Sequence, residues 1–494
     1  MKKVPALSLF VLFVLSILIG CEKFDNYSTN SSHLLRFSTD TLSFDTIFST
    51  IGSTTKQFLV YNPNDEALKI ESIRLASEGR SGFRMNIDGR KGDSFNGIDI
   101  WKKDSLYVLV EVTVDPNGTN QPLVIEDSIL FYTNGNRQSV LLRAYGQDVH
   151  LIKGGVIYTE NTTFTSDIPY LIYDSIMVEE GVTLTIEKGS TLYMHNNARL
   201  KIAGTLKAIG SQDEPIVMRG DRLDAFEATE GMIPYDRAPG LWNGLLFEST
   251  SFNNELAYVI VRNGVSGLTF AESEPKTLKM RMTNSQITNM DSILIKAVNC
   301  HIEVMNSEIT NTAGAALALT GGVYQFIHCT ITNEGVIGKT RNPAYQTLML
   351  GNIIEKNKQS YPLKQAFFDN CIIDGGNKNE VKFVVKDDSE ESGNDGTFNY
   401  RFNSCYIRTD SVSNDRYINN LFNPRPQYVK KKEIENLYDY DFRLKNGSNG
   451  IGKADRSISE KYPVDRYGVN RLTSETGPSI GAYEYVYQEE KEEK

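Results

Sequence analysis

Cysteine and histidine are scarce in this chain of 494 residues, with 5 of each, and neither Cys-x-x-Cys nor His-x-x-x-His occurs. That spacing leaves no ligand set for a structural zinc ion. Positive charge is also in deficit: 52 Lys and Arg stand against 62 Asp and Glu, a net charge of −10. A surface of that sign repels phosphate backbones, so no nucleic-acid partner is expected. The dense leucine register of leucine-rich repeats is missing, and the apolar run from Val4 to Ile19 is too short for a spanning helix.

What the chain does contain is a repeat. Asn284-Ser285-Gln286-Ile287-Thr288-Asn289, Asn306-Ser307-Glu308-Ile309-Thr310-Asn311 and His328-Cys329-Thr330-Ile331-Thr332-Asn333 follow one another at intervals of 22 residues. Weaker echoes stand at Gly351-Asn352-Ile353 and Cys371-Ile372-Ile373. A unit this short cannot bury its own apolar face, so successive units must stack and share a core. Two packed helices need about 33 residues, and apolar runs such as Ile302-Glu303-Val304 are too short for helices, which leaves strands.

The expected fold is all-β: a right-handed parallel β-helix of three short strands per turn, with coils about 4.8 Å apart. Ile287, Ile309 and Ile331 would form an inward aliphatic column, since a slip of one residue would turn them outward. Asn289, Asn311 and Asn333 fall at a turn as a structural ladder, each amide bonding to its counterpart in the next coil. Cys329, Cys371 and Cys405 share the register of Ser285 and Ser307 and read as small inward residues, with a Cys371–Cys405 bridge sterically open.

Further alternation appears at Val182-Thr183-Leu184-Thr185-Ile186 and Leu200-Lys201-Ile202-Ala203-Gly204. With Pro215-Ile216-Val217-Met218 and Gly240-Leu241-Trp242-Asn243-Gly244, this stretch resembles the first coils of the pectin-lyase-like superfamily. The resemblance covers roughly residues 150 to 485 and is to the fold more than to any enzyme. Pro463-Val464-Asp465-Arg466-Tyr467-Gly468, Arg471 and Ile480-Gly481-Ala482-Tyr483-Glu484 resemble the closing segment of bacterial surface β-helix proteins, a cap for the open strand edge.

At the start, Lys2 and Lys3 precede the apolar run as in a secretory signal. Leu18-Ile19-Gly20-Cys21 then resembles a bacterial lipobox, which implies lipidation of Cys21 and a membrane partner through that lipid. Glu22-Lys23-Phe24-Asp25 and the polar stretch after it resemble the surface-export signal and tether of Bacteroidota lipoproteins. The expected address is the outer membrane, lipid-anchored and facing the cell surface.

The expected division is a signal peptide over 1–20, lipidated Cys and tether over 21–32, an immunoglobulin-like β-sandwich over 33–149, the β-helix over 150–440, its cap over 441–487 and a charged tail over 488–494. The sandwich is read from the strand patterns at Phe58–Tyr61, Leu68–Ile73, Leu106–Val112 and Ser139–Ala144, separated by Asn-Pro-Asn, Gly-Arg and Asn-Gly turns.

A lyase or hydrolase of this fold needs acids on neighbouring coils, yet positions 291, 313 and 335 are Asp, Ala and Gly, and 308, 330 and 352 are Glu, Thr and Asn. The histidines are scattered, and His328 replaces the Asn of the repeat as a structural residue. No catalytic residue is therefore assigned. Two insertions carry the candidate sites. The first supplies Arg222, Asp224, Phe226, Tyr235, Asp236, Arg237 and Trp242, aromatic faces beside charges that suit a sugar ring. The second holds Asp387, Asp388, Glu390, Glu391 and Asp395, enough oxygen ligands for Ca²⁺ though in no calcium-loop spacing; no other cofactor is expected. The functional expectation is a non-catalytic glycan- or partner-binding module at the cell surface. An accessory scaffold of an outer-membrane protein complex and a polysaccharide lyase or glycoside hydrolase are the alternatives.

Overall fold

The computed structural model describes residues 27–120, 122–228, 231–354, 356–386, 398–430 and 440–488, and the chain divides into two compact units at Asp148/Val149. The first unit is a sandwich of two five-stranded sheets. Val108, Val110 and Val112 alternate inward from one sheet, and Ile70, Ile73, Ile129, Phe131, Val140 and Leu142 meet them from the other in a single apolar core. Its strands pair antiparallel except Thr41–Phe48 against Asn136–Gln147, whose register runs parallel, and an isolated parallel bridge joins Tyr27 to Ala67.

The second unit is a right-handed parallel β-helix. Each coil visits three sheets in a fixed order. The first sheet has ten strands, from His150–Ile152 to Tyr406–Ile407. The second has nine, from Ile157–Tyr158 to Val381–Val384, and the third has ten, from Thr162–Phe164 to Tyr417–Ile418. The aliphatic column of the repeat is its spine: Leu192, Met218, Val261, Ile287, Ile309, Ile331, Ile373 and Ile407 stand in register, all buried. Phe326, Phe368 and Phe402 stack inside the third sheet at centroid spacings of 5.0 and 5.2 Å, close to the coil rise.

Turns between sheets demand left-handed backbone, which explains the recurrent asparagines. Asn284, Asn306, His328 and Asn370 occupy one such column, at φ of 49°, 47°, 49° and 55°. Gly244 shows the steric limit: its φ is +77°, and a Cβ there would lie 2.0 Å from the Ser266 carbonyl oxygen. In the next register, Ser285 N–H donates to Ser307 Oγ at 3.1 Å, Cys329 N–H to Cys371 Sγ at 3.4 Å, and Cys371 N–H to Cys405 Sγ at 3.3 Å. All four described cysteines are free, buried thiols.

Two expectations are corrected. Gly351-Asn352-Ile353 is not a further copy of the spine, because Ile331 pairs with Ile373 and Ile353 belongs to a small hairpin with Ser360. The coil between them is lengthened by loops that the 22-residue register hides. The stretch read as an end cap also lies elsewhere. It straps the outer side of the first sheet: Gly481 N–H donates to the Asn370 carbonyl at 2.8 Å, Ala482 N–H to Thr330 Oγ1 at 3.0 Å, and Arg466 Nε to the Asn284 carbonyl at 3.2 Å. At the terminal end, the third sheet closes on Tyr417–Ile418, paired with Phe402 and Asn403, and Leu421 bridges Tyr406 at the end of the first sheet.

Candidate functional site

Side chains alternate across a strand, so burial of Ile287 and Ile309 turns Gln286, Thr288, Glu308 and Thr310 to the outer face of the first sheet. Register sets Gln286 against Glu308 and Thr288 against Thr310. These four floor a polar cleft of about 190 Å³, closed at the strand ends by Asn289 and Asn311. Asp236 and Arg237 reach in from the helical turn Tyr235–Arg237, Arg262 comes from the preceding coil, and Tyr440 and Phe442 form an aromatic wall. Those two rings stack at 5.4 Å and 10°.

The charges in the cleft are committed to protein partners. Glu308 Oε1 accepts from Gln286 Nε2 at 2.7 Å and stands 3.0 Å from Thr310 Oγ1, while its other oxygen accepts the Tyr483 hydroxyl. Burial, reinforced by the Glu308 charge, pushes that phenol well above its ordinary value. Asp236 Oδ1 lies 2.9 Å from Arg219 Nη1 and 3.0 Å from Arg262 Nη2. Burial lowers Arg262 from its usual range, and the Arg219 charge lowers it further, against the pull of Asp236. The floor itself is nearly closed to solvent, with Thr310 fully buried and Asn311, Phe442 and Glu308 at 2, 2 and 5% exposure, so the groups a ligand can meet are those of the rim: Gln286, Asp236, Arg237, Arg262 and the Tyr440 ring. That set can orient a small polyhydroxylated ring by hydrogen bonding and stacking.

Of the first insertion's residues, Asp236 and Arg237 line this cleft, and the others pair among themselves. Arg222 grips Asp224 through two contacts of 2.7 and 2.6 Å and lies 3.9 Å over the Tyr235 ring, which in turn meets Phe226 at 4.7 Å. Trp242 is a correction. It is fully buried in the β-helix core, its indole N–H donating to the Arg262 carbonyl at 2.8 Å, so no ligand reaches it. Asn311 and Asn333 act through main chain rather than amide to amide: Asn311 Oδ1 accepts from Glu334 N–H at 3.2 Å, and Asn333 Oδ1 from Thr312 N–H at 3.0 Å. Cys21, Asp387, Asp388, Glu390, Glu391 and Asp395 lie outside the described residues. Among the described residues no cluster of three or more His, Cys, Asp or Glu could hold a metal ion, and no helix is long and apolar enough to cross a membrane.

Gln286, Thr288, Glu308, Thr310, Tyr440 and Phe442 escaped sequence reasoning. The first four were read only as repeat positions, and the two aromatics sit far away in the chain. A second polar column stands at a corner of the early coils. His195 Nδ1 lies 2.6 Å from Asp221 Oδ2, its ring stacks on Tyr173 at 4.1 Å, and the Lys153 ammonium lies 4.5 Å over Tyr173.

The fold and the cleft define a β-helix protein with a lateral polar site. No family model matches the chain. It is 35% identical over 155 residues to Protein bark beetle of Drosophila melanogaster, across 30% of this chain and only 5% of that protein's length. Three solved structures are each alike over about a quarter of the chain. A family 123 glycoside hydrolase from Clostridium perfringens shares 7% identity at a TM-score of 0.16, over 23% of this chain and 26% of that one. The periplasmic chaperone SfaE shares 12% identity at 0.17, over 24% and 60%. The PapD-like domain of human CEP192 shares 9% identity at 0.16, over 26% and 92%.

Proposed function

We propose that this chain is a surface lipoprotein of Bacteroidota type, anchored in the outer membrane through Cys21, whose β-helix binds glycans or glycan-bearing partners without cleaving them. The observation that carries the reading is the cleft over Gln286, Thr288, Glu308 and Thr310. Its rim combines the Gln286 amide, the Arg237 and Arg262 guanidinium groups and the Tyr440 ring, while its two carboxylates are held by Gln286 and Tyr483 or by Arg219 and Arg262. A general acid must be free to pass its proton to the leaving group, and carboxylates held in this way serve as acceptors instead. The volume suits one sugar unit rather than a chain.

The test is a glycan array probed with the full chain and with Arg237→Ala and Tyr440→Ala, which alter the cleft at its rim. Binding to a restricted set of glycans that weakens at least about tenfold in both variants supports the reading. Binding unchanged in both refutes the assignment to this cleft. Labelling with a lipid precursor, lost in Cys21→Ser, tests the anchor.

A further inference from the structure

The point at which Tyr27 joins the sandwich determines which end of that unit neighbours a lipid on Cys21. Tyr27 bridges Ala67, and Ser28 N–H donates to the Ala67 carbonyl at 2.9 Å. Ala67 directly precedes Leu68, which pairs with Ile100 at the end of the strand Ser94–Ile100. Tyr27 stands six positions after Cys21, so the chain between them spans at most about 22 Å even at full extension. The sandwich is longer than that, since its 11-residue strand Leu123–Thr133 runs about 37 Å. An acylated Cys21 therefore keeps the Tyr27 end of the sandwich close to the bilayer.

The surface at this end differs from the remainder of the chain. Of the two tryptophans, Trp242 is core, while Trp101, directly after Ile100, is 39% exposed. Lys102 and Lys103 beside it are exposed, and Leu34 is 43% exposed while Leu35 turns into the core. These groups are held in place. The buried Asn62 amide donates to the Ile100 and Trp101 carbonyls at 3.2 and 2.9 Å, and Asp104 N–H closes the turn onto the Trp101 carbonyl at 3.3 Å. Asn64 joins the two segments: its amide donates to the Leu34 carbonyl at 3.2 Å, and its carbonyl accepts Lys103 N–H at 3.2 Å. Charge is balanced here, with Lys103 Nζ 3.0 Å from Asp65 and the exposed Arg36 and Lys102 offsetting Glu66 and Asp104. The repulsion that a chain of net charge −10 meets at an anionic lipid layer is thus relieved at this end.

We infer that Trp101, Leu34 and Lys102 form a membrane-surface contact, the indole and the leucine entering the headgroup layer of the leaflet that holds the Cys21 lipid. An indole carries an apolar body and a polar N–H, which suits that layer, and a lysine beside it keeps its ammonium in water while its stem lies along the lipid. The contact orients the sandwich on the bilayer, which a tether alone does not do. The inference rests on the proposed lipidation of Cys21 and adds a second point of attachment to it.

The experiment reconstitutes the full lipidated chain in vesicles of a phosphatidylcholine brominated along its acyl chains and in the same vesicles without bromine. Trp101→Phe supplies the emission of the buried Trp242, to be subtracted, and Cys21→Ser supplies the soluble reference. Trp101 emission should shift to the blue on reconstitution and lose at least about half its intensity to bromine, as a ring about 5 to 10 Å into the headgroup and acyl boundary requires. An environment-sensitive fluorophore on Lys102→Cys should report the same transfer. On Arg80→Cys, beyond the far end of the strand Leu68–Leu75, it should remain in water. The four described native thiols are buried, which leaves the label to the introduced cysteine. An unquenched Trp101 in a chain that carries the lipid overturns the inference and leaves the anchor standing, whereas a chain that acquires no lipid overturns both. A blue shift without quenching assigns protein rather than lipid to the Trp101 surface, and an equal response from Arg80→Cys shows a sandwich without fixed orientation; either result overturns the inference.

Discussion

His328 ties the strap to the coil stack, and its burial makes a quantitative pH effect. The imidazole is fully buried, with Nε2 3.0 Å from Ser459 Oγ and 3.1 Å from Asn370 Nδ2. Burial, with the nearby Arg471 charge, holds it well below its ordinary value of 6.5. The unfolded chain therefore binds a proton that the folded chain refuses, so this contribution is full above pH 6.5 and is lost as pH falls through the unfolded value. The loss is about 1 kcal/mol between pH 6.5 and 5.5 and approaches 1.4 kcal/mol for each further unit until the folded value is reached. His328→Asn restores the residue of Asn284 and Asn306 at the same left-handed turn, so it removes the proton linkage while keeping backbone geometry. Urea unfolding of both proteins from pH 7.5 to 5 isolates the effect as the difference between two curves, since buried carboxylates such as Glu484 contribute equally to each. Parallel curves would refute the argument, because His328 would then be protonated in the fold or open to water.

Ile309→Ala, at the centre of the spine, should cost about 2 to 5 kcal/mol against about 0.5 to 1.5 for Ile309→Val, read by denaturant unfolding. Arg341 holds the buried Glu380 through two contacts of 2.6 Å, so Arg341→Ala should cost about 3 to 5 kcal/mol, and adding Glu380→Gln should recover part of it in a double-mutant cycle. Burial raises Cys300 to about 12 and Cys371 well above the usual thiol range. Because all four thiols are buried, native protein should leave Cys300, Cys329, Cys371 and Cys405 unreactive to a thiol reagent at neutral pH, all four reacting on denaturation.

The solenoid was legible because its repeat is local. Ile287, Ile309 and Ile331 recur at the coil length, and one period sets both strand and stacking. The sandwich strands were legible from alternation around Asn and Gly turns. The candidate site was only half visible. Asp236 and Arg237 stand in an insertion that breaks the register, which is a sequence signal. Glu308 looks isolated when adjacent coils are compared, because its partner Tyr483 is 175 residues away in the chain. Register reading covers one dimension, along the stack. The strap and the Tyr440/Phe442 wall approach sideways, through contacts that no period encodes. Trp242 stands where the insertion runs back into the coils, so it could be kept as a ligand candidate although its motif and bulk already pointed to the core that it occupies.

The central claim is that the first-sheet cleft holds a glycan and leaves it intact. A glycan captured from the array should be incubated with the full chain until equilibrium binding is long established, then recovered and assayed for new reducing ends and unsaturated termini. Recovery of the unaltered glycan, with binding weakened in Arg237→Ala, is the predicted result. Accumulation of cleaved product that ceases in Glu308→Gln would contradict it.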